Sequence, residues 1–366
     1  MWSVAGRITI ALQLGVVLAK DAGPLQAQAA DAGAPLTAAL AEQAHRVRRL
    51  FREDAPLVVT IGADFREVFA HRDTVNPPRH PATLTFPGDS GPVAVPIELA
   101  TRGHFRLLRS TCGFPPLKLY LPKEQLKGTI FAGNRSLKLI THCDKNSRYE
   151  QSLLVEYAIY RAYNQLTEWS YRARLARVSY ADTRDSSKSL TRYGFFLEDD
   201  KDMAERNGGQ LFDQFGSYSE MDSAQMDLVG VFQYLIGNTD WSVIMRHNIR
   251  LVQVAGRNVL YPVAYDFDFA GLVNASYARP DPRMPIKSVR DRLYRGMCRS
   301  SEQLARTLAR VTAAKEAIEQ AFTGLPDLDA KRLKQTLAYL DEGFRTTAVP
   351  KDFMPEQEYV CARTRQ

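Results

Sequence analysis

Residues 237–271, GNTDWSVIMRHNIRLVQVAGRNVLYPVAYDFDFAG, hold the reading on which the rest of the chain depends. An apolar helical run ahead of them (Val229, Val231, Phe232, Leu235, Ile236) stops at Gly237-Asn238, a helix-stop signal that puts Asp240 on a loop. Asn248 follows, then an apolar segment from Ile249 to Val254, a Gly256-Arg257-Asn258 turn, and a second apolar strand, Val259 to Ala264, opening into Asp266-Phe267-Asp268. The pattern is loop acid, amide, hairpin, paired acids. Phosphoryl transfer uses such a set: a carboxylate orients the attacking hydroxyl, while an amide oxygen and a second carboxylate hold the cations that bridge the phosphates. Asp240, Asn248 and Asp266 or Asp268 match those roles. Taken singly, each has a plainer reading as helix cap, turn residue or solvated strand end. Their order together favours the chemical one.

Upstream, from Pro56, the texture is strand-like, with apolar runs at 57–61, 82–86, 93–99 and 117–121 separated by Pro and Gly turns. Arg102-Gly103-His104 lies between two of these strands, where a Gly flanked by cations can lay backbone N–H groups and positive charge against phosphate; a tight turn with surface cations is the equal alternative. Ser136 to Ile140 reads as a strand bearing Lys138, followed by a helix from Arg148 to Leu166 that carries Glu150 and Glu156. A strand Lys fixed by a helix Glu neutralises nucleotide phosphates, and helical geometry makes Glu150 the first choice of partner, ahead of Glu156. Tyr193 to Leu197 is a further apolar strand ending at Glu198, where a nucleotide base edge would meet the chain. Downstream, Leu272 to Arg299 is loop-rich, and amphipathic helices cover 302–322 and 330–344.

The formal net charge is +7, yet no run of five like charges occurs, which argues against a nucleic-acid tail. Residues 1–29 combine a basic start, an apolar run from Ile8 to Ala19 and the small-residue end Ala27-Gln28-Ala29, the pattern of a signal peptide for export to the periplasm or outside the cell. That run is short for a membrane span, so no stable span is expected after processing. In an oxidising compartment Cys112, Cys143, Cys298 and Cys361 form up to two disulfides, with all three pairings open.

Several pieces together resemble a known family. They are Arg102-Gly103-His104 ahead of Pro116-Leu117-Lys118-Leu119, Lys138 before its helix, Tyr193-Gly194-Phe195-Phe196-Leu197-Glu198, Gly237-Asn238-Thr239-Asp240-Trp241, His247-Asn248 and Tyr265-Asp266-Phe267-Asp268. Over about residues 93–300 the chain resembles the spore-coat CotH-type kinases, and more closely the exported bacterial proteins related to them. The resemblance implies a protein-kinase-like fold, and with the texture of the chain the expectation is an α+β, two-lobed molecule with linker and leading helix at 30–55, a β-rich N-terminal lobe at 56–200 and a helical C-terminal lobe at 201–366. It also implies transfer of phosphate from ATP, with Mg²⁺ or Mn²⁺, to a Ser or Thr of a protein substrate. Asp240 would act as the catalytic base, Asn248, Asp266 and Asp268 as metal ligands, and Lys138 on the phosphates. Asn248 lies eight residues past Asp240, and a standard Gly-rich phosphate loop is lacking, so phosphate contacts fall to the Arg102 turn or elsewhere. The rival expectations are a glycosyltransferase using Asp266-Phe267-Asp268 as a DxD motif, and a kinase-like binding module without activity.

Overall fold

The structure, a computed structural model, describes residues 47–73 and 75–364, and every count or absence given below refers to them. The expected signal peptide lies outside the described residues. Of the expected leading helix only the end is described, and there Arg49–Phe51 makes a single 3₁₀ turn.

Period-two burial builds the first half of the chain. In β1 (Leu57–Ala63), Leu57, Val59, Ile61 and Ala63 are buried while Val58 faces out. A short helix α1 (Phe65–Ala70), capped by Asp64, precedes β2 (His80–Gly88) and β3 (Gly91–Thr101), a hairpin closed with Gly88 opposite Gly91. Strands β4 (Leu117–Tyr120) and β5 (Ser136–Ile140) continue the sheet antiparallel. The chain then leaves through α2 (Ser147–Asn164) and returns as the hairpin β6 (Ala173–Asp182) and β7 (Leu190–Leu197). Strand β7 pairs with β5, and β6 runs parallel to β1, from Leu57 opposite Ala176 to Ala63 opposite Asp182. That last pairing closes a barrel in the order β1-β2-β3-β4-β5-β7-β6, which leaves no unpaired edge. Val59, Ile61, Leu84, Leu99, Leu119 and Phe196 fill it.

The second core forms around α4 (Ser223–Leu235), which is buried on every side from Gln225 to Leu235. Helix α3 (Asp200–Arg206) and a three-stranded sheet, β8 (Gly209–Leu211), β9 (Ile249–Val254) and β10 (Leu260–Ala264) in the order β10-β9-β8, lie around it. Leu154, Tyr157, Tyr160 and Tyr163 of α2 belong to this core, as do Leu304, Leu308 and Phe322. The helix expected over 302–322 is broken at Ala314 into α5 (Ser301–Ala313) and α6 (Lys315–Thr323); α7 (Ala330–Ala348), α8 (Pro350–Phe353) and α9 (Glu358–Thr364) follow.

The chain is α+β, but the expected two-lobed protein-kinase-like fold is not what forms. The strands of the first half close on themselves into a seven-stranded barrel, accompanied by the small sheet and the helices. The physical reason is β6. Its first four residues, Ala173 to Ala176, are buried on both faces, which suits a strand held between β7 and β1 rather than one at the edge of an open sheet. Disulfides join Cys112 to Cys143 and Cys298 to Cys361. No helix among the described residues is long and apolar enough to cross a membrane.

Candidate functional site

The loop after α4 is fixed from both sides. Gly237 adopts φ 65°, and a Cβ there would collide with the Tyr339 hydroxyl of α7, so glycine is required at the helix stop. Gly237 and Ile236 offer their carbonyls to the N–H groups of Gly271 and Leu272, at 2.9 and 3.0 Å, tying the end of α4 to the segment just beyond Asp268. Tyr265 N–H donates to the Asn248 carbonyl at 3.1 Å. These bonds bring the loop acid, the amide and the paired acids to one place.

Within that place the side chains of His247 and Asn248 make three contacts with Asp240. His247 Nε2 lies 2.7 Å from Asp240 Oδ1, Asn248 Nδ2 donates to Asp240 Oδ2 at 3.0 Å, and the same Nδ2 donates to the Asp240 carbonyl at 2.8 Å. The hydrogen bond with Asp240 pushes the His247 pKa upward, outweighing burial. With its amide nitrogen used in this way, Asn248 keeps its oxygen for another partner. Arg295 anchors the loop by donating to the carbonyls of Thr239 and of Trp241, the latter at 2.6 Å. Asn248 and Asp266 both adopt left-handed backbone, φ 53° and 61°, a conformation that Asn and Asp tolerate better than most residues.

The paired acids differ in surroundings. The half-buried Asp266 receives no hydrogen bond or ion pair on its carboxylate among the described residues, while its N–H donates to Tyr160 Oη at 2.8 Å. Asp268 is buried and accepts from Tyr277 Oη at 3.0 Å. Burial, and then the charge of Asp266, push its carboxyl up to about 7 despite the nearby Arg106. Glu156 of α2 joins the same cluster. It is buried, 3.7 Å from Arg106 Nη1, with Oε1 unpartnered, and burial holds its pKa well above the usual carboxylate range. Arg106 in turn donates from Nη2 to the Thr141 carbonyl at 2.6 Å. Glu156, Asp266 and Asp268 thus share one buried guanidinium, leaving negative charge that protons or cations must offset.

A second group is cationic. Lys138 of β5 pairs with Asp200, the first residue of α3. Arg250 Nε donates to the other oxygen of Asp200 at 2.9 Å, Tyr171 Oη donates at 3.0 Å, and Arg250 Nη1 donates to Tyr265 Oη at 2.5 Å. Burial lowers the Lys138 pKa against the pull of Asp200, and Arg102 lowers it further. Burial alone would raise the Asp200 pKa, but Lys138 and Arg250 outweigh it and hold that carboxyl below its usual range. Arg102 therefore stands near Lys138, and its charge is also felt at Glu156. Tyr265 adjoins Asp266, so the cationic and acidic groups share one chain junction.

Two expectations are corrected by these contacts. Lys138 is fixed by Asp200, not by Glu150 or Glu156. Glu150 instead accepts from Tyr193 N–H at 2.6 Å, steadying β7, and Glu156 faces Arg106. Glu198 does not wait for a nucleotide: it is buried, taking Arg206 Nε and Nη2 at 3.0 Å each and Arg172 N–H at 2.9 Å. In the Arg102 turn, Gly103 adopts φ 104°, Arg102 N–H donates to the Pro116 carbonyl at 2.9 Å, and His104 is exposed.

Arg106, Asp200, Arg250 and Tyr277 were not singled out by sequence reasoning. The available signals were Arg106 within the basic stretch 102–109, Asp200 in the acids after β7, and Arg250 interrupting an apolar strand.

Among the described residues, no three His, Cys, Asp or Glu side chains converge closely enough to hold a metal on their own. Magnesium does not require such a cage, since one or two carboxylates plus substrate phosphates usually hold it. The unpartnered Asp266 carboxylate and the spare Asn248 oxygen fit that mode. No family model matches the chain, and none of the curated proteins compared with it is detectably similar.

Proposed function

We propose that this chain is a metal- and ATP-dependent phosphotransferase that phosphorylates Ser or Thr of a protein substrate. The reading rests on the site rather than on the fold. The observation that carries it is Asp240, gripped by His247 and Asn248 beside acids that lack enough counter-charge, with the Lys138–Asp200–Arg250 group adjoining through Tyr265.

In this account Asp240 orients the acceptor hydroxyl and draws its proton as the oxygen attacks. His247 and Asn248 keep the carboxylate turned to that task. Lys138, with Arg102 and Gly103 of the neighbouring turn, contacts the phosphates, and Asp200, itself held by Arg250, fixes the ammonium. Asn248, Asp266 and Asp268 would hold Mg²⁺ or Mn²⁺, which when bound neutralises charge on the phosphates. Arg106 limits the repulsion among Glu156, Asp266 and Asp268. The reading is tested by incubating the protein with γ-labelled ATP, Mg²⁺ or Mn²⁺ and Ser- and Thr-containing acceptors. Label on an acceptor hydroxyl supports it, and label released only as phosphate from every acceptor tried counts against it.

Export to the periplasm or the cell exterior belongs to the same proposal. The two disulfides suit an oxidising compartment, and residues 1–29 carry the export pattern. Mass spectrometry of protein from its native host should find an N-terminus near Ala30; an intact Met1 on soluble cytoplasmic protein would refute export.

A further inference from the structure

A cavity of about 660 Å³ opens between α1, the Arg109–Phe114 turn and the β6–β7 hairpin. None of its lining residues belongs to the acidic or cationic groups described above. Its volume lies within the roughly 300–1,000 Å³ typical of small-molecule sites. The floor is aromatic: Phe69 and Phe114 lie edge to face at 4.7 Å, and Phe114 contacts Tyr180 at 4.5 Å and Phe65 at 5.7 Å between ring centroids. Beneath Phe114, at 4.7 Å, sits His142, buried and with neither ring nitrogen bonded.

The rim has the opposite character. Arg66, Arg72, Arg109, Lys145, Lys188 and Arg192 line it, against the single carboxylate of Asp182. Lys188 is paired with Asp185 at 3.1 Å. The others have no carboxylate within ion-pair distance among the described residues. Arg72 spends its N–H groups on the carbonyls of Phe69, Leu107, Cys112 and Gly113, so it contributes charge rather than a free fork. Arg109 uses only Nη2, on the Phe69 and Ala70 carbonyls, and Arg192 uses Nη1 and Nη2 on the Thr191 and Lys145 carbonyls. Lys145 is exposed, with no partner for its ammonium. Clustered cations without counter-charge repel one another, and an anion brought to them would be drawn in.

We propose that this cavity binds a small amphiphilic monoanion, its apolar body on the Phe65–Phe69–Phe114–Tyr180 floor and its carboxylate head at Arg109, Lys145 and Arg192. The site is independent of the phosphotransferase reading. Isothermal titration of the full-length protein with laurate, as monomers, should show one saturable site. Lys145→Glu combined with Arg192→Glu should weaken binding by about tenfold or more, as expected for losing charge-assisted contacts. Dodecanol, with the same body and no charge, should bind at least about tenfold more weakly than laurate. Asp240→Asn should bind laurate like the wild type. Because Lys145 is exposed and Arg192 lies outside both cores, circular dichroism should be unchanged, and acetylation of Lys145 in the wild type should slow when laurate is present. The proposal is overturned by absence of saturable laurate binding, by equal affinity for dodecanol, or by affinity unmoved by charge reversal. Inorganic phosphate binding there as tightly as laurate would also overturn it, because the apolar floor would then contribute nothing.

Discussion

Replacing Glu198 with Gln separates a structural role from a nucleotide-binding one. The Glu198 and Arg206 side chains are 1% and 0% exposed, and the carboxylate takes three hydrogen bonds, two from the guanidinium and one from Arg172 N–H. Gln keeps one acceptor oxygen and turns its amide N–H groups toward donors, so about half of that set is lost and the charge compensation goes with it. Hydrogen bonds to charged groups contribute about 1.5–3 kcal/mol each, and removing one partner of a buried ion pair costs about 3–5 kcal/mol. Arg206 keeps Glu168, whose side chain is 43% exposed, at 3.1 Å, which places the expectation near the lower limit, about 3 kcal/mol. Set against a typical total of about 5–15 kcal/mol, this is a large fraction of the stability. Urea unfolding at pH 7 under non-reducing conditions reads it directly. Nucleotide affinity of the folded variant should stay unchanged. A loss below about 1 kcal/mol together with weakened nucleotide binding would refute the structural assignment.

Two further outcomes are expected. Lys138→Met should weaken ATP binding while leaving the fold intact, and Asp200→Asn should do the same in part because it frees the ammonium; unchanged affinity in both, measured by titration calorimetry, would move phosphate binding to Arg102. Burial, and then Arg192 and Arg106, push the His142 pKa down to about 3 from 6.5, so between those values the unfolded chain binds a proton that the folded chain does not, and stability falls as pH falls. At pH 4.5 the cost is about 3 kcal/mol, and near zero at pH 7; His142→Phe should remove most of it, and identical acid sensitivity in wild type and variant would contradict the assignment.

The strands and helices were legible because their signals are local. The apolar run at 57–61, the strand pattern at 136–140 and the Gly237 stop each act within a few residues. The barrel was not legible, because alternation tells which face of a strand is buried and not which edges meet; the parallel β1–β6 pairing joins strands separated by the rest of the sheet. The same limit explains Lys138. A helix carrying Glu150 and Glu156 follows it immediately, but α2 turns Glu150 to β7 and Glu156 to Arg106, and the true partner, Asp200, lies 62 residues away. Asp240, Asn248, Asp266 and Asp268 could be singled out from sequence as candidates because a helix stop and a strand end mark their positions. Arg106 and Tyr277 enter that cluster only through tertiary packing.

The phosphotransferase proposal is tested most directly by comparing Asp240→Asn and Asp266→Asn in one assay that follows both transfer of label from γ-labelled ATP and binding of Mg²⁺-ATP. Asp240 is assigned to the transition state, so Asp240→Asn should lose transfer by roughly a hundredfold or more while still binding Mg²⁺-ATP. Asp266→Asn should lose both. Full transfer activity in Asp240→Asn would contradict the account at its centre.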